Sequence, residues 1–583
     1  MGALFALAPI VAAATYFAMP SRRASSQLRA LPLTSLPGVV RSPSLSPDGN
    51  YVVFTWTGGT QDHSDVYVQQ IGTGSPLRLT SDSGNDYSPS WSPDGRTIAF
   101  LRREPSVGKS ALWRVAPLGG TERKVADVRT RLAAFRPISL SWCPDSTCVL
   151  VTDSPGEGQA DALFAIALDT GEKRQVTYPQ GPVGDVDPAI SPDGRSLVFR
   201  RNTSPFGGSF YRLSLEAHTV PDGEPVRLTA TLSAGKPAWM PDSREIVFAD
   251  RGALWRVDAR TGGTPARLPF VGQDGLTPIV SRTGPHRLVY VRSLADVNVW
   301  CIDTSAAGAP ASPPVAAIAS TRRDNIPNLS PDGRHVVFVS DRSGESEIWV
   351  AAPDGSKANQ LTSLGITPGF PRWSPDGTLI AFHGDPAARP DVLVVPAGGG
   401  KPHVLTTKMT NGGFPSFSRD GQWIYFAVVE NGEARIWKMP VAGGDAVQVT
   451  NSVGTVAIES RDRRDLYYVE RADRPSPLWR VPVVGGTPVK VLDGVILGSF
   501  DVVDGGIYYF DRVSDVTSVH LAGRPSGETR LQYFDFGTGQ STTVARNLGT
   551  VGFGLTASPD GRTIFFSRID SSVDELMLVE NFR

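Results

Sequence analysis

A four-residue phrase, Ser-Pro-Asp-Gly, returns along this chain with an apolar run behind it. It is intact at Ser46–Gly49, Ser92–Gly95, Ser191–Gly194, Ser330–Gly333, Ser374–Gly377 and Ser558–Gly561. Decayed copies stand at Cys143–Ser146, Met240–Ser243 and Ser418–Gly421. Poorer matches near Ser281–Thr283, Ser460–Arg463 and Val502–Gly505 keep readable neighbours, such as Leu288-Val289-Tyr290 and Ile507-Tyr508-Tyr509. Twelve repeats with a period of roughly 40 to 50 residues and several short strands each are the mark of a β-propeller.

The phrase has a physical reading. Pro93 presets φ at the second position of a β-turn, Asp94 suits the third, and Gly95 tolerates the left-handed conformation that closes a hairpin. The next run is apolar, as in Val52-Val53-Phe54, Ile98-Ala99-Phe100, Leu197-Val198-Phe199 and Val336-Val337-Phe338. Such runs suit strands covered on both faces. A third strand partly alternates, as in Leu112-Trp113-Arg114-Val115 or Ile436-Trp437-Lys438-Met439. A Gly-rich turn such as Gly119-Gly120 then leads to an outer strand such as Leu77-Arg78-Leu79-Thr80. Four strands per period make one blade.

The repeats resemble the WD40-like Pro-Asp repeats of the TolB β-propeller, and the resemblance covers nearly everything after Leu31. Propellers close with about four to eight blades, so twelve repeats predict two six-bladed rings. Leu31–Thr34 and Val315–Ile318 read as orphan outer strands, each closing one ring from its N-terminal end. The sixth repeat is expected to end its third strand at Val299–Ile302, and the twelfth at Leu576–Val579. The expected organisation is a transmembrane helix or uncleaved signal anchor over residues 1–22, a linker over 23–30, and propellers over 31–312 and 313–583.

Ala3 to Met19 is apolar and uncharged, with Arg22 and Arg23 directly after, and is just long enough to span a bilayer. A membrane anchor is the preferred reading over a signal peptide or a buried segment. The positive-inside rule would keep Arg22 and Arg23 in the cytoplasm, although large domains can translocate despite local charge. Propellers behind an anchor resemble bacterial membrane-anchored winged-helix regulators and Ser/Thr kinases, and the phrase from Asp574 to Arg583 is similar to their ends. No helix-turn-helix or kinase signature is found, so neither activity is carried over. The resemblance implies periplasmic propellers on the cytoplasmic membrane.

The chain has 57 Lys and Arg against 58 Asp and Glu, which removes a broad electrostatic case for nucleic acid. Prolyl oligopeptidases also carry propellers, but no G-x-S-x-G elbow occurs here. The seven histidines show no metal-ligand spacing. Asp185 and Asp187 could hold a cation, yet two carboxylates without a calcium-loop pattern read as a polar loop. Cys301 reads as a core residue, and Cys143 and Cys148 as either buried thiols or a cross-hairpin disulfide if the protein is exported.

The expected function is therefore a non-catalytic binding, sensory or scaffolding module, not an enzyme, with no cofactor, catalytic residue or metal ligand assigned. Its partners would be the membrane, through Ala3 to Met19, and a protein or peptide at the channel mouths. Thr57–Ser64, Asn202–Ser209 and Gly384–Arg389 are candidate contact loops. The alternatives are a soluble periplasmic TolB-like assembly factor and a propeller hydrolase or lyase with a channel metal.

Overall fold

A computed structural model describes residues 28–583, apart from 59–62, 105–108, 130–138, 157–158, 181–183, 203–207, 217–218, 230–234, 273, 385–390, 407–411, 431–432, 473–474, 497 and 513–527. The expected anchor at 1–22, with its apolar run Ala3 to Met19, lies outside the described residues, as does the linker up to residue 27. Among the described residues no helix is long and apolar enough to cross a membrane.

The described chain is all β. Strands pair antiparallel in ten four-stranded sheets and one six-stranded sheet. The repeated phrase turns the chain between the first and second strands. At Ser330–Gly333 the Gly333 N–H donates to the Ser330 carbonyl at 2.9 Å. The Ser330 hydroxyl donates to Asp332 at 2.5 Å and accepts the His335 N–H at 2.9 Å. Ser330 and the Arg334 N–H hold the Asp332 carboxyl below its ordinary pKa. Gly333 has φ +70°, which explains the glycine. Where glycine is lost, Ser146, Ser243 and Arg463 take the same left-handed position. Ser460–Arg463 is thus a full turn, with Ser460 donating to Asp462 at 2.6 Å.

Second strands carry the core. Phe54, Phe100, Phe199, Phe248, Phe338, Phe382 and Phe426 come from seven of them and are fully buried. They pack between neighbouring sheets, as Phe100 does against Val53 and Val66. First-strand indoles stitch three sheets to the one before. Trp142 donates to the Ser90 carbonyl at 2.9 Å, Trp239 to Ala189 at 2.8 Å and Trp373 to Asn328 at 3.2 Å.

First strands neighbour one another in two closed cycles. The first runs Val39–Leu45, Asp86–Trp91, Leu140–Trp142, Gly184–Ile190, Ala238–Trp239, Gly275–Val280 and back to Val39–Leu45. The second runs Asp324–Leu329, Gly369–Trp373, Gly412–Phe417, Ala457–Glu459, Phe500–Val503, Thr550–Ala557 and back to Asp324–Leu329. The Thr283 hydroxyl, donating to the Pro47 carbonyl at 2.6 Å, helps close the first. The Leu329 N–H, reaching Thr556 Oγ1 at 3.4 Å, helps close the second.

The six-stranded sheet serves both cycles. Arg287–Asp303 and Thr563–Glu580 are long strands that pair antiparallel from Arg287↔Glu580 to Asp303↔Thr563. At the first-cycle end the order is Gly275–Val280, the start of Arg287–Asp303, the end of Thr563–Glu580, then Ala30–Pro32. At the second-cycle end it is Thr550–Ala557, the start of Thr563–Glu580, the end of Arg287–Asp303, then Val315–Ile318.

This corrects the expected strand assignment. Leu288–Tyr290 and Val299–Ile302 are parts of one strand, not successive strands of one sheet. Third strands are exchanged: Leu576–Val579 completes the first cycle and Val299–Ile302 the second. The reason is local. Arg292-Ser293-Leu294-Ala295-Asp296 contains neither glycine nor proline, so nothing turns the chain back. The orphan outer strands do cap the sheet, Ala30–Pro32 on the C-terminal strand and Val315–Ile318 on Val299–Cys301.

Candidate binding channels

Every first strand approaches its turn through the same column, four residues before the serine of the phrase or its replacement. In the first cycle the column reads Ser42, Ser88, Ser139, Asp187, Lys236 and Thr277. In the second it reads Ile326, Phe370, Phe414, Val456, Gly498 and Gly554. At seven of these positions a β-bulge shifts the register and proline follows. The residue before that proline is left-handed: φ is +52° at Ser42 and Ser88, +55° at Asp187, +46° at Thr277, +54° at Ile326 and Phe414, and +51° at Phe370. Proline lacks the N–H that a bulge would leave unpaired. A non-glycine left-handed residue costs roughly 1–2 kcal/mol, and β-branched Thr277 and Ile326 are the most strained types.

All six first strands of the first cycle surround a cavity of about 80 Å³. Ser44, Ser90, Ser141, Lys236 and Arg282 line it, with prolines and the indoles of Trp91, Trp142 and Trp239. Ser44 Oγ accepts the Trp91 N–H at 3.1 Å, and Ser141 Oγ accepts the Ile190 N–H at 2.9 Å. Lys236 Nζ donates to the Leu140 carbonyl at 2.8 Å. Burial pushes Lys236 down to about 8, against the attraction of Asp187 and with the repulsion of Arg282. Burial also lowers Arg282, which among the described residues has no hydrogen-bond or ion-pair partner. Asp187 is already engaged, by the Ser139 hydroxyl at 3.0 Å and by Arg200 at 3.1 Å.

In the second cycle rings meet at the column itself. Phe370 lies 4.5 Å from Phe414 and 5.6 Å from Phe553, centroid to centroid. His383 packs against them, 5.4 Å from Phe370 and 6.0 Å from Phe414, and burial pulls it down to about 4. Toward the turns Arg372 and Arg419 come near Asp501 without a direct ion pair among the described residues. Arg419 donates to the carbonyls of Glu459 and Val502 at 3.1 and 3.3 Å. Asp501 accepts the Ala557 N–H at 2.8 Å and the Thr556 hydroxyl at 3.2 Å. Burial lowers Arg372, and Asp501 opposes that shift.

The three candidate contact loops fall largely outside the described residues, at 59–62, 203–207 and 385–390. Asp185 and Asp187 each face an arginine, Asp185 meeting Arg201 at 2.7 Å and Asp187 meeting Arg200 at 3.1 Å. Among the described residues no cluster of three or more His, Cys, Asp and Glu could hold a metal ion. Cys143 and Cys148 are joined in a disulfide across the third repeat's turn, with Cα atoms 5.3 Å apart. Cys301 is free and buried, its thiol pushed up to about 11 by burial and the charge of Asp303. Sequence reasoning missed Lys236 and Arg282. Reading the column four before each turn would have found Lys236.

The TolB β-propeller domain matches residues 24–131 and 327–479. The chain carries TolB-like propeller repeats. It is 26% identical over 202 residues to a Bacillus subtilis protein called uncharacterized peptidase YuxL, covering 28% of this chain and 29% of that one. The chain thus matches less than a third of that relative's length. It is 29% identical over 234 residues to uncharacterized protein Atu1656 of Agrobacterium fabrum, covering 38% of this chain and 72% of that one. Among solved structures, a putative TolB from Agrobacterium tumefaciens matches at 18% identity and TM-score 0.40, over 48% of this chain and 99% of its own. The expectation of a non-enzyme is contradicted by the relative that carries a peptidase name.

Proposed function

We propose that the two closed cycles are two six-bladed TolB-type propellers and that the protein handles polypeptide in a peptide-hydrolysing setting. The first channel is the recognition site. The supporting observation is the first-cycle cavity, ringed by all six first strands and lined by serines and two cations. Only an extended chain or a small molecule fits such a space, because a cavity of about 80 Å³ admits side-chain-sized groups and no folded domain. The relative called a peptidase supplies the ligand class. The second channel, closed by Phe370, Phe414 and Phe553, serves as a packed scaffold.

The test pairs an unstructured labelled peptide with the same sequence held inside a folded domain. Saturable binding of the free peptide only is expected, with mass spectrometry of the mixture reading any cleavage. Equal binding of the folded form, or no binding of either, overturns the reading.

The location belongs to the same proposal: propellers on the periplasmic side of a bacterial cytoplasmic membrane. The disulfide Cys143–Cys148 supports it, because such bonds persist in oxidising compartments. Protease added to intact spheroplasts should digest the propellers. Protection until lysis would place them in the cytoplasm.

A further inference from the structure

The first channel holds more positive charge than it uses. Lys236 has one carbonyl acceptor, at Leu140, and Arg282 has no partner among the described residues. The facing carboxylate, Asp187, is already held by Arg200 and Ser139. Both cations line the same cavity, Lys236 from just before Ala238–Trp239 and Arg282 from just after Gly275–Val280. Both side chains are partly buried, and a cation drawn part-way out of water without a counter-charge costs folding energy. Ser44 and Ser141 line that cavity too, each accepting a backbone N–H, so each keeps a hydroxyl proton to donate. The cavity of about 80 Å³ is several times the roughly 10–15 Å³ that one water needs.

We propose that Lys236 and Arg282 together bind a carboxylate in the first channel, and that this is the C-terminal carboxylate of the bound polypeptide. The inference rests on the peptide-handling reading. The guanidinium fork of Arg282 matches a planar carboxylate with two parallel N–H donors, and Lys236 adds a point charge from the neighbouring first strand. The groups facing Lys236 are Asp187 on the first strand before it, Arg200 beyond Asp187, and Arg282. Of these only Asp187 favours its charged form. An anion would add to that effect, so binding takes up protons near pH 8 and weakens as the pH rises above it.

The experiment uses a labelled extended peptide as free acid and as C-terminal amide, with propionate and inorganic phosphate as small probes. Each is titrated into the native protein, Lys236→Met and Arg282→Met, and thermal melts are recorded alongside. The acid should bind the native protein at least about tenfold more tightly than the amide at pH 7, the size of one charge-assisted contact. Both variants should lose that preference while melting at the native temperature or above it, since each removes an uncompensated cation. Propionate should raise the native melting temperature and leave Lys236→Met unmoved.

Equal binding of acid and amide overturns the carboxylate site and leaves peptide handling standing. Binding of neither peptide overturns peptide handling, and the propionate melt then decides the carboxylate site alone. Propionate binding without peptide binding assigns the site to a free carboxylate and overturns the terminal-carboxylate source. Tighter binding of phosphate than of propionate overturns the carboxylate chemistry.

Discussion

The two cycles share one backbone device and put opposite chemistry on it. Four residues before each turn, the first cycle carries Ser42, Ser88, Ser139, Asp187, Lys236 and Thr277, and the second carries Ile326, Phe370, Phe414, Val456, Gly498 and Gly554. The bulge and the left-handed residue before proline occur in both. The architecture therefore does not decide what a channel holds. Side chains on and beside the column do. In the first cycle the column is polar and its Lys236 lines the cavity, whereas in the second Phe370 and Phe414 meet each other and Phe370 also meets Phe553 beside the column.

The largest effect tests whether the cycles are separable at all. Pro314 onward reads from sequence as a self-sufficient ring, yet it lacks Val297–Asp303, which pairs with Thr563–Ile569. Residues 28–303 alone likewise lack Asp574–Glu580. Neither half should show a cooperative thermal transition by circular dichroism. Linking residues 571–583 to the first half should restore one. Two halves that each unfold cooperatively would break the exchanged-strand account.

Next comes the column. Phe414→Ala should cost about 2 kcal/mol in urea unfolding, below the about 3–5 kcal/mol of a fully buried phenylalanine because the ring is half-buried. Ser42→Ala, at the equivalent first-cycle position, should stay within about 0.5 kcal/mol. Equal costs would erase the difference between the channels.

Acid should then distinguish them. His383 is held neutral in the folded state, down to about 4, whereas the unfolded chain protonates it near its ordinary 6.5. Stability supplied by the neutral ring is present above pH 6.5 and lost as pH falls toward 4, at no more than about 1.4 kcal/mol per pH unit. The half-buried position argues for about 1 kcal/mol in all. His383→Leu should flatten that slope in urea midpoints measured between pH 7 and 5. An unchanged slope would remove His383 from the account. The smallest effect is alkaline: Lys236, lowered to about 8, leaves the unfolded chain holding the extra proton above that pH, so stability rises there, and Lys236→Met should abolish the rise.

Local chemistry made the sheets legible in sequence. The Ser-Pro-Asp-Gly turn fixes the first hairpin wherever it survives, and Arg463 shows that the turn outlasts its glycine. The outer strands Leu31–Thr34 and Val315–Ile318 were readable because they lacked a preceding sheet. The exchange was not, since partner choice between equivalent long strands leaves no local mark. The only hint was negative, the missing turn residues between Val291 and Val297. The channel residues were hidden differently. Lys236 stands in a Lys-Pro pair that looks like any loop, and Arg282 in a repeat whose turn has decayed to Ser281-Arg282-Thr283-Gly284. Their convergence needs the closed cycle.

The exchanged strands also set an order of events on the ribosome. The half synthesised first is finished last. Gly275–Val280 and the start of Arg287–Asp303 emerge early, but their next neighbour, Asp574–Glu580, arrives only after the strands of the second cycle have been made. Until then the first half carries an open sheet edge with its backbone groups unpaired, a surface that invites pairing with other chains. The second half has its early strand waiting as a template when Thr563–Ile569 appears. Closure thus depends on contacts nearly the full chain length apart, which is slow, and a nascent chain of this kind needs its free edge shielded while it waits. Once the last strand docks, opening either cycle strips a strand from the other, so neither opens alone.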